Sequence, residues 1–138
     1  MKAGCFLDTN VLLYSISRAP SEAAKAARAA DLLLRDDCVL SVQVLQEFYV
    51  QATRAGKADA LAHDDAVEFM RTWLRFKIQD TTPPLVMAAV AIAAKHRLSF
   101  WDSAIIAAAQ AQGCATLYSE DMGHGMKIGD TTIVNPFL

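Results

Sequence analysis

Cysteine is scarce in this chain, and the little there is argues against more than it suggests. The three thiols, Cys5, Cys38 and Cys114, are an odd number with no CxxC spacing, which speaks against a disulfide framework, a redox motif or a cysteine zinc site. Each falls in or beside an expected strand, where a buried, reduced side chain is the ordinary reading. Histidine is as sparse: His63, His96 and His124 show no HxxxH pairing, which argues against zinc. Long apolar runs are also missing. Leu85 to Ala94 is too short to span a bilayer, and Lys95-His96-Arg97 interrupts it. The N-terminus has only Lys2 as a positive flank, and Asp8 and Asn10 break its apolar run, so it fails as a secretory signal. A cytoplasmic protein without a membrane segment is therefore expected. No repeat, linker or low-complexity segment divides the 138 residues, of which 54% are apolar and 20% charged. One domain over residues 1–138 with a sizeable core is expected.

Charge of one sign is lacking too. Thirteen basic residues against 15 acidic ones leave a net charge of −2, so no basic stripe announces a polyanionic partner. The balance is informative only once the acids are sorted by position.

What is present is alternation of strand and helix signals. A short apolar run, Ala3 to Leu7, reads as a strand, and Val11-Leu12-Leu13-Tyr14 after it as a helix. Ser21 is placed to cap a helix to about Arg35, and Cys38-Val39-Leu40 reads as a buried strand. Ser41 caps the next helix, with Val44, Leu45, Phe48 and Ala52 at helical spacing, ending near Gly56. A further helix starts near Asp64-Asp65 with Val67, Met70, Trp73 and Leu74 as its apolar stripe. Ile78 to Asp80 is a third strand. Thr82-Pro83 opens a helix to about His96, and another runs from Trp101 or Asp102 to Gln112, with Gly113 ending it. Cys114 to Tyr118 and Thr131 to Val134 complete five strands. Strands separated by helices imply a parallel sheet covered on both faces: a three-layer α/β/α domain, with a helical hairpin over about 41–77 mounted on the sheet.

Four carboxylates stand where a strand ends or on a helix that could face the same edge: Asp8, Glu47, Asp102 and Asp121. Asp8 follows the first strand and Asp121 the fourth, so adjacent parallel strands would bring both to one sheet edge, where α/β folds bind ligands. Thr9 and Asn10 can cap the first helix, which leaves Asp8 free of that duty. Glu47 neighbours Leu45 and Phe48, and Asp102 opens an otherwise apolar helix, a setting where a carboxylate needs a cation or several donors. Glu120 reads as pointing away. With the four acids set aside, 13 basic residues stand against 11 acidic ones, a balance that permits a nucleic-acid substrate.

In order and spacing over the whole chain, Asp8-Thr9-Asn10, the helical Glu47, Trp101-Asp102-Ser103 and Ser119-Glu120-Asp121 resemble the PIN domain, in particular toxins of the VapC type. The resemblance implies a three-layer PIN-like fold with strand order 3-2-1-4-5 and a Mg²⁺- or Mn²⁺-dependent ribonuclease acting on RNA. By position, Asp8, Glu47, Asp102 and Asp121 would be the catalytic metal ligands. Thr9 and Ser119 would orient carboxylates or water, and Asn10 would support the first turn or reach the substrate. A homodimer and a cognate antitoxin are implied as well. The loop after Asp121, with His124 and three glycines, departs from the family's simpler continuation.

Carboxylates suit hard divalent cations, and two such ions about 4 Å apart serve in-line phosphodiester displacement. Arg54 and Lys57, near the helical hairpin, are the preferred substrate contacts among Arg18, Arg71, Arg75, Lys95 and Arg97. Trp73 and Trp101 read first as packing residues, with base stacking open to either if exposed. A phosphotransfer receiver would need a lysine ending a strand, and none is there. The stronger rival is a non-catalytic PIN-like nucleic-acid or protein-binding module, which should lack some of the four acids.

Overall fold

The computed structural model describes residues 4–138, so Ala3, expected to begin the first strand, lies outside the described residues. The sheet has six strands: β1 (Cys5–Leu7), β2 (Cys38–Ser41), β3 (Lys77–Gln79), β4 (Thr116–Tyr118), β5 (Lys127–Ile128) and β6 (Thr131–Val134). Their order is β3-β2-β1-β4-β6-β5. The first five of these in space pair in parallel, and β5 is antiparallel to β6. The expected order 3-2-1-4-5 thus holds for the parallel core, whose last member is β6. Its addition is β5, a two-residue edge strand too short for a periodic signal. Gly129, at φ +58°, turns the chain back into β6, a conformation that costs glycine little.

Helices α1 (Thr9–Ser15), α2 (Ala23–Leu33), α3 (Val42–Ala52), α4 (His63–Trp73), α5 (Pro83–His96) and α6 (Phe100–Ala111) connect the strands. Ser41 and Thr82 accept from Val44 and Leu85 backbone N–H groups as N-caps of α3 and α5, as their sequence positions suggest. Ser21 does not cap α2. Pro20 opens a single 3-10 turn, Pro20–Glu22, which places Ser21 inside it and delays the helix to Ala23. Likewise α6 starts at Phe100 because the Ser99 hydroxyl accepts from Asp102 N–H, so Asp102 sits in the first turn rather than at the cap. Gly113, at φ +68°, follows the end of that helix.

The core lies on both sheet faces around Phe6, Leu12, Leu40, Phe48, Ile105, Ile106, Leu117 and Ile133, all essentially inaccessible. Each such side chain contributes about 1.5–3 kcal/mol through burial. Val44, Leu45, Phe48 and Ala52 are all buried on α3, while Leu74, counted in the α4 stripe, is exposed because the helix ends at Trp73. The three cysteines are free and buried.

Candidate metal centre

Parallel pairing sets the site. Leu7 at the end of β1 registers with Tyr118 at the end of β4, and the Asp8 N–H donates to the Tyr118 carbonyl at 3.0 Å. The residues just past both strands, Asp8 and Ser119 to Asp121, therefore emerge together at the carboxyl edge. Glu47 reaches this edge from the middle of α3 and Asp102 from the first turn of α6. All four carboxylates line one cavity of about 150 Å³, with Thr9, Asn10, Leu13, Gln51, Trp101 and Ile105.

Asp8 is the most constrained. Its Oδ1 accepts from the Thr9 N–H at 2.7 Å, and its Oδ2 accepts from the Ser119 hydroxyl at 2.8 Å and from Asn10 Nδ2 at 3.4 Å. The Thr9 contact makes Asp8 the N-cap of α1, so the expectation that capping would pass to Thr9 or Asn10 is corrected. The carboxylate is the first acceptor available to the orphan N–H groups of the helix. Burial, opposed by the Ser119 and Thr9 hydrogen bonds and reinforced by the charges of Glu47 and Asp121, raises its pKa to about 6. Asp102 is also raised, first by burial and then by Asp121 and Glu47. Thr9 Oγ1 donates to Glu47 Oε1 at 2.7 Å. Asn10 Nδ2 also donates to Asp121 Oδ2 at 3.2 Å, and its Oδ1 accepts from the Glu120 N–H at 3.3 Å. The Ser119 hydroxyl in turn accepts from the Asp121 N–H at 3.2 Å.

No lysine or arginine lines this cavity. Its oxygen donors, held by neutral hydroxyl and amide groups, suit a hard divalent cation in kind. They are not tightly clustered. Among the described residues, the group of three or more ligating side chains whose donor atoms all lie within 4.8 Å of one another is Cys5, Asp37 and Cys38. There the thiols are 3.5 Å apart, Cys38 donates to the Leu32 carbonyl at 3.2 Å, and the Asp37 carboxylate is held by two hydrogen bonds of 2.8 Å from Arg35. The acidic centre is wider, with Asn10 bridging Asp8 and Asp121.

The other sequence candidates divide. Glu120 turns away as expected, accepting from Tyr14 Oη at 2.6 Å and Lys25 Nζ at 2.5 Å. His124 accepts from the Asn135 N–H at 3.0 Å, a loop-fixing bond. Trp73 is core, but Trp101 is 63% exposed and borders the centre, so it is not a packing residue in the monomer. Arg54 and Lys57 lie on opposite flanks. Arg54 joins Gln43, Gln46, Val50 and Trp101 around a depression of about 320 Å³ that includes Glu47. Lys57 joins Arg18 around one of about 640 Å³ that includes Asn10 and Asp121. Gln43 escaped the sequence reading. Its Nε2 donates to Glu47 Oε2 at 3.3 Å and to the Trp101 carbonyl at 3.2 Å, and its place one turn before Glu47 on α3 was the available signal.

A family model for the PIN domain matches residues 5–124. A search of curated proteins finds no match. Among solved structures, the chain is similar to a toxin–antitoxin complex from Klebsiella pneumoniae, at TM-score 0.72 and 18% identity, covering 96% of this chain and 98% of that one. It is similar to VapC20 of Mycobacterium tuberculosis, described as a sarcin-ricin loop cleaving toxin, at TM-score 0.66 and 22% identity over 86% and 90% of the two chains. DNA-bound VapBC from Salmonella typhimurium gives TM-score 0.69 at 18% identity over 96% and 97%.

Proposed function

Because the chain belongs to the PIN domain family, we propose that it is a metal-dependent endoribonuclease, hydrolysing RNA phosphodiester bonds at the carboxylate cavity. One observation carries the reading: four carboxylates, two from the turns past β1 and β4 and two from α3 and α6, line a single cavity that no basic side chain enters. Asp8, Glu47, Asp102 and Asp121 would hold Mg²⁺ or Mn²⁺. An ion held there would supply Lewis-acid stabilisation of phosphate charge and a lowered pKa for an attacking water.

The chain's own groups do the rest. Ser119 and the Thr9 amide fix Asp8, the Thr9 hydroxyl and Gln43 fix Glu47, and Asn10 sets the spacing between Asp8 and Asp121. Such outer contacts orient ligands and are worth about 10–100-fold in metal affinity. Arg54 and Lys57, on the two flanks, meet backbone phosphates on either side of the scissile one. The exposed Trp101 indole offers a face on which a base stacks.

Toxin activity within a VapBC-type pair, with a cognate antitoxin covering the acidic cleft, is the biological setting we assign. Its support is the family together with the toxin–antitoxin complexes among the similar folds. Residues 1–138 act as one domain. A homodimer through α5 fits its surface: Val86, Met87 and Val90 are exposed, and Ala89 is the one residue of that helix fully buried. The test is incubation with a pool of structured RNAs, with Mg²⁺ or Mn²⁺ and with chelator, beside Asp102→Asn. Metal-dependent cleavage that the variant loses is expected. Cleavage that persists in chelator or in the variant contradicts the assignment.

A further inference from the structure

The larger depression beside the carboxylates is far bigger than a metal ion or a phosphate needs. Its volume of about 640 Å³ falls in the range of small-molecule sites, roughly 300–1,000 Å³. It shares Asn10, Leu13 and Asp121 with the carboxylate cavity, so whatever fills it lies next to the reacting phosphate. One wall is the segment between α1 and α2, and the other is the turn between α3 and α4 carrying Lys57, Ala58 and Asp59.

We infer that this depression is a pocket for one unpaired nucleotide of the RNA, the residue flanking the scissile phosphate, and that it reads that nucleotide's base. The inference rests on the nuclease reading for its position and on the pocket's own chemistry for its occupant. Leu13 and Ile16 are half-buried and give an apolar surface of the kind a base plane covers. Arg18 and Lys57 are exposed cations at the rim, placed for the sugar–phosphate backbone.

The pocket also carries carboxylates, which repel phosphate but accept hydrogen bonds from base N–H groups. Glu120 is unavailable for this, since Tyr14 and Lys25 occupy it. Asp121 is committed to the metal centre, where its Oδ2 accepts from Asn10 Nδ2 at 3.2 Å, and Glu22 is engaged through one oxygen by the Ser17 hydroxyl at 2.6 Å. Asp59 is exposed on the opposite wall and is the acceptor through which the pocket selects bases with an exocyclic amino donor. A paired base cannot enter a walled pocket on its own, so the target is an RNA loop, bulge or single strand, where sequence-specific RNA recognition concentrates.

The experiment uses the full chain and two substitutions in the exposed turn, Ala58→Trp to fill the pocket and Asp59→Ala to remove the acceptor. Binding of fluorescent unpaired hexaribonucleotides is measured with Mn²⁺ on the Asp102→Asn background, so that no cleavage interferes. Hydrolysis of a small base-free phosphodiester is followed separately on the otherwise unaltered protein. Ala58→Trp should weaken hexamer binding by about tenfold or more, a loss of about 1.4 kcal/mol, while base-free hydrolysis stays within about twofold. Asp59→Ala should narrow the affinity difference between cytosine- or guanine-containing hexamers and uridine-only ones. Equal hexamer binding by Ala58→Trp and its parent, or no hexamer binding by the parent, overturns the pocket. Pocket-dependent binding without any hydrolysis by the unaltered protein keeps the pocket and removes the nuclease reading.

Discussion

At the scale of residues, Asp8 concentrates the chemistry and its cost. A buried carboxyl group facing two other acids holds its proton to about pH 6, against an ordinary value of 3.8. The folded state therefore binds this proton more tightly than the unfolded chain does. Asp8's contribution to stability is fully present below about pH 4 and lost as pH rises through 6, about 3 kcal/mol in all. Metal-free protein should thus lose stability between pH 4 and pH 7 by more than Asp8→Asn does. Urea unfolding of both proteins at those two pH values measures the difference. Identical pH slopes would show that Asp8 does not carry this destabilisation. The positions of Asp8, Glu47, Asp102 and Asp121 at one edge were legible from strand ends and helix starts. The cap role of Asp8, the wedge made by Asn10 and the partnership of Gln43 with Glu47 were not. Each depends on which of several equivalent polar groups wins a local hydrogen bond, and several solutions share one sequence pattern.

At the scale of elements, the turn after β4 is held from outside the site. Glu120 sits between Ser119, which fixes Asp8, and Asp121, and its side chain ties the turn to α1 through Tyr14 and to α2 through Lys25. Lys25 also lies 4.8 Å from the centre of the Tyr14 ring, and Tyr14 packs edge-on against Phe137. Lys25→Met should change global stability little, since an ion pair that water still reaches contributes little. It should weaken Mn²⁺ binding by a few-fold, below the about 10–100-fold typical of a ligand's direct partner. Calorimetric titration beside a thermal melt distinguishes the two effects, and Lys25→Arg should restore affinity. Unchanged affinity in Lys25→Met would leave the ion pair a surface ornament. Elements themselves were well marked where apolar spacing ran for several turns, as on α3, or where a cap residue and a proline opened the helix, as on α5. The misses came where two neighbouring residues compete to start a helix, Ser21 against Pro20 and Asp102 against Ser99, and at β5, where two residues carry no period. The exposure of Trp101 was hidden for a different reason, because it depends on which way the first turn of α6 faces.

At the scale of the whole molecule, a parallel sheet brings four acids that lie far apart in sequence to one edge. The near-neutral composition conceals this, since 15 acidic residues include the four gathered there. Around that edge the surface is graded: a depression of mixed apolar and polar lining on the Lys57 side, the acidic cavity at the centre, and the Trp101 platform on the Arg54 side. No helix among the described residues is long and apolar enough to cross a membrane. The sheet also carries a second group of metal-ligating type, Cys5, Asp37 and Cys38, and it supplies the natural internal comparison. Anomalous diffraction from crystals grown with Mn²⁺ is the most direct test of the acidic centre. A peak is expected in the cavity bounded by Asp8, Glu47, Asp102 and Asp121, with carboxylate oxygens at about 2.1 Å. A peak only at the cysteine group, or none at saturating Mn²⁺, would contradict it.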